Sequence, residues 1–294
     1  ASKGGIHFFK SDLLTEGAYD QAMTGCELVY HTASPFIMKV KNAQRDLIDP
    51  ALKGTRNVLE AANRIETVKR VVVTSSCAAI YGDAIDLNTT KNGIFTEEDW
   101  NTTSSATHQA YSYSKVLAEK EAWKIAEAQQ RWDLVTVNPA LIIGPGTNAK
   151  ATSASFDIVK QMGNGMMKMG VPDLNIGAVD VRDVAEAHYK AGFTPGAKGR
   201  YINFTENTSL LKLAQHLYSD YGSKYPLPKK HLAKWLVWLV APMSGMTRKE
   251  VTMSIGHPWK ADNSKGIKEL GMVYRPLDVA MKEMFQQLID TKQI

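Results

Sequence analysis

Tyr111 and Lys115 stand four residues apart in Tyr111-Ser112-Tyr113-Ser114-Lys115, and Thr74-Ser75-Ser76 closes an apolar run upstream. On a helix that spacing puts the phenol and the amine on one face, a single turn apart. A lysine ammonium beside a phenol favours the phenolate and lowers a pKa that starts near ~10. A phenol tuned that way exchanges a proton near neutral pH. Ser76, offered from the end of a strand, can hold a carbonyl oxygen beside the phenol. Ser76, Tyr111 and Lys115 are therefore the candidate catalytic set, and their chemistry is the interconversion of a ketone and an alcohol. Tyr113 has Leu117 four residues on and no lysine to pair with. The seven histidines and the scattered carboxylates show no metal-ligand spacing, so no metal site is expected.

The elements that must present these residues alternate between strand and helix. Ile6–Phe9 reads as a strand, Gly17–Met23 as a short helix and Glu27–Tyr30 as the next strand. Leu47, Ile48, Ala51, Leu52, Val58, Leu59 and Ala62 recur at helical spacing between about Asn42 and Arg64. Val71–Val73 is a β-branched run suited to a buried parallel strand. A polar stretch from Asp83 to His108 leads into the helix of Tyr111 and Lys115, which runs to about Gln129. Asp133–Val137 and Tyr201–Phe204 read as further strands, and Asp180–Val184 opens a helix. The alternation implies a doubly wound parallel α/β sheet, on which ligands bind at the carboxyl ends of the strands. The segments ending in His31–Ser34, Thr74–Ser76 and Asn138–Ile143 all reach that edge.

The boundaries expected are a dinucleotide-binding core over residues 1–146 and 177–206, and a smaller, mostly helical substrate lobe over 147–176 and 207–294. Leu232–Val240, which carries Trp235 and Trp238, is expected as a buried lobe helix, with an amphipathic membrane-surface helix as the alternative. The net charge of +5 is concentrated late in the chain: residues 209–294 hold thirteen Lys/Arg against seven Asp/Glu. That excess reads as a solvated basic surface, since no nucleic-acid-binding motif accompanies it. No apolar run reaches the ~18–20 residues of a membrane span, and the start lacks a secretory pattern, so a cytoplasmic protein is expected. Cys26 and Cys77 read as buried, reduced thiols. The long helices at 42–64 and 109–129 offer a four-helix contact for a homodimer.

Taken in order, the segments resemble the extended short-chain dehydrogenase/reductase superfamily, and within it the dihydroflavonol reductase, cinnamoyl-CoA reductase and carbonyl reductase branch. The matching stretches are Ser11-Asp12-Leu13, His31-Thr32-Ala33-Ser34-Pro35, Arg45–Val58, Arg70–Ser76, Tyr111–Glu121, Asn138–Pro145 and Val179–His188. The resemblance implies a Rossmann-like fold and NAD(P)H-dependent reduction of a ketone or aldehyde to an alcohol, on a small-molecule carbonyl substrate. It implies NADP as cofactor, with NAD the alternative. Tyr111 would be the general acid, Lys115 would tune it and bond the nicotinamide ribose, and Ser76 would orient the carbonyl, with Ser75 the other candidate. Asp12 and Leu13 would sit by the adenine. Thr32, Ala33, Ser34, Thr74 and Ser75 would line the cofactor, and Pro139 and Ile142 would flank the nicotinamide. A turn or N-cap role serves Asp12 equally well. Asp183 also resembles a family residue, which its place at a helix start explains without catalysis.

The front of the chain departs from that pattern. Gly4-Gly5 precedes the first apolar run instead of following it, so it is not the phosphate turn of a dinucleotide site. The expectation is an N-terminally incomplete version of a longer reductase, lacking the first βαβ unit. Two other readings stay open. One is a nucleotide-sugar epimerase or dehydratase, against which Lys150, Lys160 and Lys168 offer no arginine clamp. The other is a non-catalytic scaffold.

Overall fold

The computed structural model describes residues 4–34, 40–148 and 153–294. Pro35 of the cofactor-lining run and Lys150 of the lobe segment lie outside the described residues. In chain order the elements are α1 (Asp20–Met23), β1 (Leu28–His31), α2 (Asp49–Arg64), β2 (Arg70–Thr74), α3 (Ala110–Glu127), β3 (Asp133–Pro139), β4 (Leu141–Ile143), α4 (Ala154–Gly163), β5 (Asn175–Asp180), α5 (Val181–Phe193), β6 (Gly199–Asn203) and β7 (Glu206–Ser209). Helices follow: α6 (Leu210–Gln215), α7 (Tyr218–Tyr221), α8 (Lys234–Val240), α9 (Arg248–Ser254), α10 (Ser264–Leu270) and α11 (Leu277–Asp290).

Val71, Val72 and Val73 are apolar on both faces of β2, so this strand must be covered twice. It lies inside a parallel sheet of order β1-β2-β3-β6. On one face Val58 and Leu59 of α2 and Ala122 and Ile125 of α3 close over Val71, Val73 and Leu134. On the other, Ala187 and Ala191 of α5 and Leu270 of α10 close over Val72, Val135 and Val137. Each valine so buried contributes about 1.5 kcal/mol or more. This is the expected doubly wound sheet.

Gln44–Ile48 is wound as a wider π turn before α2, and Pro50, with no N–H to donate, falls at the junction. Further along α2, Gly54 lets Leu13 lie across the helix: a side-chain carbon there would meet Leu13 Cγ at 2.7 Å.

Ile6–Phe9 is not a strand. Among the described residues β1 is the edge of the sheet, and nothing hydrogen-bonds to residues 6–9; Phe8 is 92% exposed. A strand whose backbone groups find no neighbour has no ladder to hold it. A second, smaller sheet of order β4-β5-β7 went unforeseen. Its strands are short, and Gly177 interrupts the apolar run of β5 because the Trp259 ring would lie 2.4 Å from any side-chain carbon there. Ile143, Ala178, Met162, Leu213, Met281 and Phe285 form the core between this sheet and α4, α6 and α11. The Leu232–Val240 helix is also not buried as expected. α8 packs on one side only, Val237 and Ala241 meeting Val251 and Ile255, and Trp235 is left 69% exposed. No helix among the described residues is long and apolar enough to cross a membrane.

Candidate active site

The start of α3 is held from outside. Gln109 adopts a left-handed conformation (φ 53°) that breaks the chain direction just before the helix. The buried Asp83 carboxylate fixes it: Gln109 Nε2 donates to Oδ1 at 3.1 Å, and His108 Nε2 lies 2.5 Å from Oδ2. Ser254 Oγ, at the end of α9, donates to the same carboxylate at 3.0 Å. Asp83 thus ties the first turn of α3, where Tyr111 sits, to the end of α9.

From Tyr111, one face of α3 runs through Lys115 to Glu119 in steps of four. Lys115 is buried at 8% exposure, and its Nζ lies 5.6 Å from the centre of the Tyr111 ring. The ammonium donates to Ser34 Oγ at 2.7 Å. Burial pushes the Lys115 amine down to about 8. It also pushes the Tyr111 phenol up, and the Ser76 hydroxyl opposes that shift. The expected depression of Tyr111 by lysine is therefore not what this geometry produces. The ammonium is turned to Ser34, and the phenol keeps its proton at neutral pH. Next to Lys115, His31 at the end of β1 is held down to about 4, first by burial and then by the ammonium charge.

Glu119 was missed by sequence reasoning and is the hub beneath the site. Its carboxylate is fully buried and paired with Arg200 Nε at 2.6 Å. It accepts from Ser75 Oγ, from Asn138 Nδ2 at 2.7 Å and from Thr136 Oγ1 at 3.2 Å. Arg200 in turn donates to the Glu97 and Asp99 carbonyls and stacks 3.8 Å over the Trp100 ring. The strand ends that face the site are thereby locked to the helix that carries Tyr111. The only hint in the sequence is position: Glu119 is one more turn along the same face.

The two serines differ. Ser75 is buried and donates to Glu119, whereas Ser76 accepts from Ala78 N at 3.1 Å and faces the phenol. Ser76, Tyr111, Lys115, Pro139 and Ile142 line one cleft of about 800 Å³, whose walls are otherwise mostly apolar. Leu13, Ala33, Ser34, Ser75 and Lys115 line a narrow void of about 20 Å³ beside it. Thr32 borders an apolar recess of about 440 Å³ on the other face of β1 and β2. Thr74 lines all three, and its Oγ1 is 2.6 Å from His188 Nε2. Asp12 lines none of them. It is exposed, and its carboxylate accepts Leu14 N at 2.8 Å, a turn contact. Asp183 is fully buried and paired with Arg275, joining α5 to the approach to α11. Of the two thiols expected to be buried, Cys77 is, and burial pushes it up, whereas Cys26 is only partly buried.

Residues 1–203 match the family model described as the NAD-dependent epimerase/dehydratase family. The chain belongs to that family. Among its relatives, cinnamoyl-CoA reductase CAD2 of Medicago truncatula is 33% identical over 99% of this chain and 82% of its own length. An anthocyanidin reductase of Arabidopsis thaliana is 35% identical over 74% of this chain and 66% of its own. Of the solved structures, yeast methylglyoxal/isovaleraldehyde reductase Gre2 complexed with NADPH superposes with a TM-score of 0.77. It is 28% identical and covers 96% of this chain and 84% of its own. The Rossmann-like parallel sheet with helices on both faces is shared with that structure.

Proposed function

We propose that this family member is an NADPH-dependent carbonyl reductase that converts an apolar ketone or aldehyde to its alcohol, with Tyr111 as the general acid. The observation that carries the reading is the meeting of a protonated phenol, a serine hydroxyl and a buried ammonium at the mouth of one largely apolar cleft. Its relatives named as reductases, one of them complexed with NADPH, support it.

The residues present fit the nicotinamide-ribose end of such a cofactor. Lys115 and Ser34, 2.7 Å apart, are donors suited to ribose hydroxyls, and Pro139 and Ile142 offer apolar flanks to a flat ring. When bound, NADPH supplies the hydride. Ser76 orients the substrate carbonyl by donating to its oxygen. Tyr111 gives its phenolic proton to that oxygen as negative charge develops there. Lys115, charged below about pH 8, stabilises the phenolate left behind. Glu119 and Arg200 act through Ser75 and Asn138, as positioning residues. The mostly apolar walls of the cleft favour substrates whose carbonyl is flanked by hydrocarbon.

The test pairs cofactor binding with turnover. NADPH and NADH are titrated by tryptophan quenching, and consumption of NADPH is followed over a panel of aldehydes and ketones. Tyr111→Phe is expected to lower turnover by about 100-fold or more while cofactor affinity is kept. Unchanged turnover in that variant would remove Tyr111 from the mechanism, and a folded protein that binds neither nucleotide would end the reductase reading.

A further inference from the structure

Trp235, Trp238 and Leu239 recur on the outer face of α8 at i, i+3 and i+4, and Met243 continues that face beyond the helix. Trp235 is 69% exposed and Met243 90%. A second exposed pair, Met166 at 70% and Met169 at 67%, stands on the loop after α4. The backbone joins the two groups. Val171 bridges to His231, and a side-chain carbon on Gly170 would lie 2.8 Å from the Lys230 carbonyl. Single exposed apolar residues are ordinary on a protein surface, but a contiguous set marks an interaction site.

The charge beside this set is mostly positive, the nearby carboxylates being Asp173, 3.7 Å from His231, and Glu250 in the first turn of α9. Lys168, Lys229, Lys230, Arg248 and Lys249 are exposed there. No carboxylate occurs between Asp157 and Asp173, nor between Asp220 and Glu250. The Arg248 guanidinium lies 4.3 Å over the Trp238 ring, so cation and aromatic share one patch. Lys234 is otherwise engaged, donating to the Thr252 and Ile255 carbonyls at the end of α9. A second copy docked about a two-fold axis would set this cationic rim against itself. Anionic lipid headgroups answer both halves of the surface, accepting the cations while the tryptophans and methionines enter the acyl boundary.

We infer that this face docks the protein on an anionic membrane surface, with α8 lying in the interface plane and residues 164–170 beside it. Leu174 packs against the α8–α9 core and also lines the catalytic cleft. Docking therefore brings a wall of the cleft towards the lipid, where apolar carbonyl compounds concentrate. The docking itself does not depend on the reductase reading.

The experiment is flotation of the whole chain with phosphatidylcholine vesicles, with and without phosphatidylglycerol, at low and high salt. Partition into the anionic vesicles alone, weakened by salt and accompanied by a blue shift of tryptophan emission, is the expected result. Lys229→Glu/Lys230→Glu is expected to weaken partition about tenfold or more, since each cation near such a surface counts. Trp235→Ser is expected to weaken it similarly through lost insertion. Both variants change exposed positions, so their thermal melts should match the parent and separate lost docking from lost folding. No partition at low salt, equal partition into neutral vesicles, or indifference to both variants would overturn the inference. So would a dimer in sedimentation equilibrium that Trp235→Ser dissociates, which would assign the face to a second copy.

Discussion

Lys115 is a buried cation whose protonation should be visible in the stability of the whole fold. Burial takes its amine from an ordinary 10.5 to about 8, with Ser34 Oγ its hydrogen-bond acceptor and neutral His31 nearby. The folded chain therefore sheds this proton before the unfolded chain does. Between about pH 8 and 10.5 the unfolded state binds more protons, so stability rises with pH across that window. Below about pH 8 the penalty for burying the ammonium is present in full. The gap of about 2.5 pH units, at about 1.4 kcal/mol each, amounts to about 3.5 kcal/mol. Lys115→Met removes this titration, and the His31 ionisation it also touches lies below the window, near 4 to 6.5. Urea denaturation of both proteins, followed by far-ultraviolet circular dichroism from neutral pH upwards, gives the difference in unfolding free energy at each pH. The difference, parent minus variant, should climb by about 3.5 kcal/mol between pH 8 and 10.5, because the tyrosines and other lysines titrate in both proteins and cancel. A flat difference would refute the burial argument and return Lys115 to an ordinary surface amine. The same ionisation predicts that turnover of the parent falls as pH rises through about 8, when the charge beside Tyr111 is lost.

Glu119→Gln leaves the Arg200 guanidinium buried without its counter-charge and should cost about 3–5 kcal/mol of stability in urea melts. Glu119→Gln/Arg200→Met should recover part of that loss, and a single variant as stable as the parent would show that the pair is not the hub described. His31, held near 4 against an ordinary 6.5, binds its proton later in the folded chain than in the unfolded one as pH falls. Stability should therefore drop by up to about 3 kcal/mol from pH 6.5 to 4, and His31→Leu should flatten this part of the profile; matching slopes in parent and variant would refute it.

Tyr111 and Lys115 were legible because their relation is local: a four-residue spacing on one helix is written in the chain itself. The valine run of β2 was legible for a similar reason, since three adjacent β-branched residues admit few other fates. Glu119 was not, because what makes it a hub is partners distant in sequence, Ser75 just after β2, Thr136 and Asn138 on β3 and Arg200 on β6, and no local pattern announces them. The direction of the Tyr111 shift was misread for a related reason. Spacing places the ammonium within one turn of the phenol, but Ser34, 81 residues away in sequence, decides where that ammonium turns. Ile6–Phe9 and α8 failed differently. Their residue types fit the elements assigned to them, but strand and burial both require a neighbour, which local sequence does not supply.

These failures share a consequence for the site. Asp83 and Glu119 are both carboxylates removed from water, and each is satisfied by groups from several elements. Asp83 fixes where α3 begins, and Glu119 fixes how α3 lies against the sheet. Tyr111 stands between the two anchors, on the stretch of helix whose position they determine. Any shift of α3 against the sheet would carry the phenol away from Ser76. The buried carboxylates therefore hold the proton donor and the carbonyl-orienting serine in register, although neither carboxylate is assigned a step in the reaction.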